Sequence, residues 1–80
     1  MGPAASSHSK KRVSARALLA ANVVSLRRTK ELSQEALAFE AGLHRTFVAH
    51  VERQVRNISV DNIEKLAIAL GVEPYELLKP

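Results

Sequence analysis

Between Arg45 and Arg53 the chain reads RTFVAHVER, and its polar residues recur at spacings that a helix does not need for its own packing. At about 100° per residue, Phe47, Val48 and Val51 gather on one side of such a helix, while Arg45, Thr46, Ala49, His50 and Arg53 form a continuous arc of roughly 140° on another. A face that meets only water more often carries Glu and Lys. Arginine can bond a guanine edge with two N–H groups, threonine and histidine reach bases or phosphates, and alanine lets a thymine methyl approach. The chemistry implied is recognition of base-pair edges, not bond making. Other chemistries have less support. His44 and His50 do not share a helix face, so no metal pair is expected. No Ser, His and Asp residues stand at nucleophilic spacing, and so small a bundle has little room for a catalytic pocket, so neither an enzyme nor a cofactor site is expected.

An arc of this kind is useful only if other elements hold it outward. Leu32 precedes Ser33, a good N-cap for a helix over Gln34 to Ala41, with Glu35 favouring its positive end. Gly42 then supplies the positive φ of a sharp stop. After Leu43 and His44, the latter a poor cap, a second helix runs from Arg45 to about Gln54. Ala38 lets the two backbones approach, and Leu37, Val48 and Val51 fill the corner between them; the spacing of Ala38, Gly42, Val48 and Val51 is that of a helix-turn-helix.

The flanking elements follow the same rules. Ser14 caps a first helix reaching Lys30, with Leu19, Val23 and Leu26 inward, and Glu31 stands where a terminating glycine would be comfortable. Arg27, Arg28 and Lys30 suit the negative end of that helix. Ser59 caps a helix over Val60 to Leu70 with Ile63, Leu66, Ala67 and Leu70 inward, and Gly71 ends it. Glu73 and Pro74 open a short fifth helix, whose Tyr75, Leu77 and Leu78 carry more apolar surface than it can bury alone. No strand pattern or repeat is present. The expectation is an all-α, compact five-helix bundle over residues 14–80, following a disordered basic arm over residues 1–13.

Charge and composition agree with a polyanionic partner. The 80 residues carry a net +4, with no cysteine to form disulfides or thiol-rich zinc sites. Residues 1–57 hold ten Lys and Arg against four Glu, whereas residues 58–80 hold two against four acidic residues. A basic N-terminal two-thirds with a mildly acidic end suits a molecule that turns one side toward a polyanion. With no apolar run near the ~20 residues of a membrane span and no secretory h-region, a soluble cytoplasmic protein is expected.

From Leu19 to Leu78 the chain closely resembles the Cro/C1-type helix-turn-helix family, also called XRE, to which lambda repressor belongs. The stretches that carry the likeness are NVVSLRRTKELSQEALAFEAGLHRTFVAHVERQVRN and IEKLAIALGV. Within it, HRTFVAHVERQVRN is most similar to the small controller proteins of restriction-modification systems. The resemblance implies a lambda-repressor-like fold whose helices 2 and 3 form the helix-turn-helix. It implies that Ser33 and Gln34 hold a phosphate, that Arg45, Thr46, Ala49 and His50 face base edges, and that Arg53, Arg56 and Asn57 lie on the DNA backbone. It also implies a structural pair of Glu52 with Arg27. His44, Gln54 and Glu31 depart from the family pattern, the last two where glycine is frequent. Phe47 lies at the border of the arc, open to either packing or the DNA backbone, with packing favoured.

The function expected is a sequence-specific transcriptional regulator that binds double-stranded DNA at a pseudo-palindromic operator, as a homodimer joined through Tyr75, Leu77 and Leu78. The alternative is an antitoxin that binds DNA and also neutralises a protein partner. A third reading, an interaction module without DNA binding, is disfavoured by Gln34, Arg45 and Asn57.

Overall fold

Serine hydroxyls open three of the four α-helices in the computed structural model, which describes residues 13–80. Ser14 precedes α1 (Ala15–Thr29), Ser33 precedes α2 (Gln34–Ala41) and Ser59 precedes α4 (Val60–Leu70). Each hydroxyl accepts the N–H of the residue three along, at 3.0 to 3.1 Å, which satisfies one of the donors a helix start leaves unpaired. The helix between, α3 (Arg45–Glu52), begins at His44 with no side-chain cap. There the corresponding donor, the Phe47 N–H, bonds the His44 carbonyl at 3.0 Å.

All four helices stop in the same way. One residue turns into the left-handed region, and the next N–H reaches back five residues to a helix carbonyl: Leu32 to Arg27, Leu43 to Ala38, Val55 to His50 and Val72 to Ala67, at 2.9 to 3.1 Å. The turning residues are Glu31 (φ 60°), Gly42 (φ 72°), Gln54 (φ 63°) and Gly71 (φ 75°). Because Gln54 already lies in that turn, α3 is helical only to Glu52, two residues short of the expected end.

The expected fifth α-helix is a single 3-10 turn, Pro74–Leu77, so the described residues hold four α-helices and no strand. Its closing bond, from the Leu78 N–H to the Tyr75 carbonyl at 3.0 Å, spans three residues, as four residues leave no length for more than one turn. The carbonyls beyond are also engaged elsewhere. The Asn22 side-chain amide of α1 donates to the Leu77 carbonyl at 3.0 Å and to the Lys79 carbonyl at 2.9 Å.

Leu77 thereby drops into the core, fully buried beside Leu19, Val23, Leu37, Leu66 and Leu70. Complete burial of each such leucine stabilises by about 1.5 to 3 kcal/mol relative to exposure, an upper bound because the unfolded chain is itself partly collapsed. Helix α2 packs against both α3 and α4, α1 packs on α3, and the C-terminal turn closes over α1 and α4. Residues 1–12 of the expected basic arm lie outside the described residues; Val13 is exposed.

Candidate nucleic-acid interface

Helix α3 divides as its sequence requires. Val48 and Val51 are buried against the other helices, at 0 and 2% exposure, and Phe47 is half-buried and packed on the same core. Phe47 is therefore a packing residue, and its ring also carries the Arg56 guanidinium at 5.6 Å from the centroid. On the rest of the helix Arg45 and Thr46 are exposed and Ala49 and His50 half-buried, and Arg53, directly past the helix end, is exposed. None of the five points into the core. Ala38 and Leu37 of α2, both buried, form the corner against which α3 rests.

A polar cluster fixes the far end of α3. Glu52 receives Nε of Arg27 at 2.7 Å and its second guanidinium nitrogen at 3.0 Å, a two-pronged pair between α3 and the last turn of α1. The Gln34 amide, at the first position of α2, adds a bond to the same carboxylate at 2.8 Å. Arg27 has one more donor in use, to the Leu32 carbonyl at 2.9 Å. The Glu52 hydrogen bond, with a smaller contribution from its charge, raises the Arg27 pKa against the opposing effect of burial. Glu52 and Arg27 are thus structural, joining the ends of three helices.

This places the expected phosphate-holding residues in two settings. Gln34 gives one N–H to Glu52, which leaves the second for an anion, and Ser33 accepts from Ala36 with its own O–H proton still to donate. Arg53, Arg56 and Asn57 stand exposed on the connector after α3. Of the residues expected at a dimer contact, Tyr75 is 69% exposed and Leu78 38%, whereas Leu77 is at 0%. Leu77 is therefore removed from that surface: its side chain is spent on the core of its own chain. A turn of four residues is too short for its period to say which apolar side chain points inward.

Sequence reasoning passed over three residues. Asn22 ties the C-terminal turn to α1, Arg16 bonds Asn57, and Phe39 is 85% exposed on α2. The first two have partners 55 and 41 residues away, beyond the reach of local pattern. The Phe39 position was legible, since Leu37, Ala38 and Ala41 leave it on the outer face of α2. Among the described residues there is no cluster of metal-binding side chains, and no helix is long and apolar enough to cross a membrane.

The geometry has counterparts among known proteins. The helix-turn-helix family model matches residues 24–77. Control protein C.BamHI of Bacillus amyloliquefaciens is 60% identical over 47 residues, 59% of this chain and 58% of that protein. A hypothetical transcription factor of Neisseria meningitidis is 54% identical over 65 residues, 81% of this chain and 61% of its own length. This chain accordingly spans less than two thirds of either relative. The crystal structure of the restriction-modification controller protein C.AhdI from Aeromonas hydrophila superposes with a TM-score of 0.75 and 50% identity, covering 78% of this chain and 94% of that one.

Proposed function

This chain belongs to the helix-turn-helix family of Cro/C1 type, and on that premise we propose that it is a sequence-specific transcriptional regulator of the restriction-modification controller kind. It binds double-stranded DNA with α3 in the major groove, as a homodimer on a pseudo-palindromic operator. The observation that carries the reading is the exposed side of α3, where Arg45, Thr46, Ala49 and His50 sit together without any role in the core. A helix of this width fits the major groove with its first residues nearest the bases. Ser33, Gln34, Arg53, Arg56 and Asn57 then anchor the flanking phosphates, and these contacts set register without reading sequence.

Dimerisation is supported by apolar surface that the monomer leaves open, on Tyr75 and Leu78 of the C-terminal segment and on Ile68 of α4, which is 72% exposed. Two-fold pairing would set the two reading helices about one turn of DNA apart, ~34 Å.

Selection of bound sequences from random DNA tests the reading most directly, because palindromic half-sites are the expected product. Arg45→Ala should then cost ~1 to 3 kcal/mol on the selected site and relax preference at one base pair, while Arg53→Ala should weaken all sequences alike. Unchanged affinity and preference for Arg45→Ala at fixed salt would remove α3 from the reading role. A monomer by sedimentation at high micromolar concentration, with and without DNA, would remove the dimer.

A further inference from the structure

Arg16 lies in the first turn of α1, 41 residues from Asn57, and its Nη2 donates to the Asn57 Oδ1. Arginine has donors only, so the Asn57 atom that faces it must be the oxygen. The Asn57 NH2 is thereby turned away from Arg16, and it has no partner among the described residues. Both side chains are exposed, on the rim of a shallow recess floored by Leu19, Ile58 and Ile63. The connector that carries Asn57 also places the Arg56 guanidinium over the Phe47 ring. Its entry is the left-handed turn at Gln54, and its exit is the Ser59 cap of α4. An amide whose acceptor is occupied and whose two donors are free among the described residues, beside a guanidinium with only one donor engaged among them, is a donor set arranged for an anion.

We infer that Arg16 is a positioning residue for the DNA backbone: its guanidinium fixes the Asn57 amide with NH2 outward, and the pair together grips one phosphodiester at the edge of the α3 footprint. This inference rests on the DNA-binding reading above and extends it to a residue of α1. The helix-turn-helix is then clamped to the backbone from outside its own two helices. The contact is to phosphate, so it contributes affinity and orientation without base preference.

The test uses the full chain and a selected operator duplex, with binding followed by fluorescence anisotropy across a salt series. Arg16→Ala and Asn57→Ala are each expected to weaken binding about tenfold, the range of one charge-assisted hydrogen bond. The double variant should be little weaker than Asn57→Ala alone, and Arg16→Lys, which retains a donor, should recover part of the loss. A single uncharged methylphosphonate at the contacted phosphate should weaken the wild type and leave Arg16→Ala nearly unaffected. Base preference and melting temperature should stay at wild-type values throughout. Full affinity in Arg16→Ala, or losses that simply add in the double variant, would overturn the proposal, and so would a loss that comes with a lowered melting temperature. Those outcomes leave the DNA-binding reading intact as long as Arg45→Ala still relaxes preference at its base pair. A wild-type chain with no salt-dependent affinity for any duplex would overturn both.

Discussion

Helix α4 begins at a capping serine and stops at a glycine, whereas α3, the helix on which the proposed reading depends, has neither. Its first turn has His44 without a side-chain bond, and its exit places Gln54 at φ 63°. A side chain in the left-handed region costs roughly 1 to 2 kcal/mol, and a missing cap about 1 kcal/mol. With only eight residues, α3 has no length from which to recover that cost. What holds it is tertiary: Val48 and Val51 in the core, and Glu52 bonded to Arg27 and Gln34. The other helix that ends without glycine is α1, at Glu31, and Arg27 stands in its last turn. The two strained exits are thus tied to each other by one ion pair. The lesson is that α4 carries its own start and stop signals, while the position of α3 is set by its neighbours.

The most severe way to break this contrast is to remove the tie. Glu52→Ala leaves Arg27 largely buried without its partner, and loss of one member of such a pair costs about 3 kcal/mol. Urea unfolding of Glu52→Ala, Arg27→Ala and the double variant should yield a favourable coupling on the order of 1 kcal/mol or more. Strict additivity would mean that the pair does not hold the two exits together. No variant in α4 outside its buried positions should destabilise as much.

The next effects concern the exits and run in opposite directions. At Gly71 an added Cβ would meet only the Lys30 side chain, at 3.7 Å, so the penalty for Gly71→Ala comes from φ 75° and amounts to ~1 kcal/mol or somewhat more. Gln54→Gly relieves the same conformation but frees the unfolded chain, which takes back about 0.4 to 1 kcal/mol, so a net gain of ~0.5 kcal/mol is expected. Thermal melts at matched salt would compare them. Destabilisation by Gln54→Gly would show that its side chain contributes more than its backbone costs.

Much of this was legible from local chemistry. Ser14, Ser33 and Ser59 are each followed by a helix, and Gly42 and Gly71 each end one, because caps and stops act over three to five residues. The strain at Glu31 was legible too, as a residue standing where a terminating glycine is comfortable; Gln54, expected as the last residue of its helix, was marked only by the family pattern, in which glycine is frequent there. The features that escaped depend on distant partners: Asn22 on the Leu77 carbonyl, Gln34 on Glu52 and Arg16 on Asn57. Leu77 escaped for another reason. Tyr75 and Leu77 in a turn of four residues, and Leu78 directly after it, look alike until the core selects one.

The mildest prediction sharpens the contrast at the start of α3. Replacing His44 with serine installs the device that α4 has at Ser59, and a capping hydroxyl adds roughly 0.5 to 1 kcal/mol. The backbone at His44, φ −78° and ψ 145°, closely matches that at Ser59, φ −76° and ψ 159°, so the hydroxyl enters a conformation already suited to capping. His44→Ser should therefore raise the melting temperature by a few degrees, the usual effect of such an increment in a domain of this size. Affinity for the operator should change by less than about threefold, because a capping hydroxyl engages the Phe47 N–H, on the packed side of the helix, and leaves Arg45 and Thr46 as they are. No gain in stability would mean that the His44 carbonyl, already bonded to the Phe47 N–H, serves as well as a cap. A gain in stability with a large loss of affinity would instead mean that the uncapped start is itself part of the reading surface, and the weak end of α3 would have a functional cause.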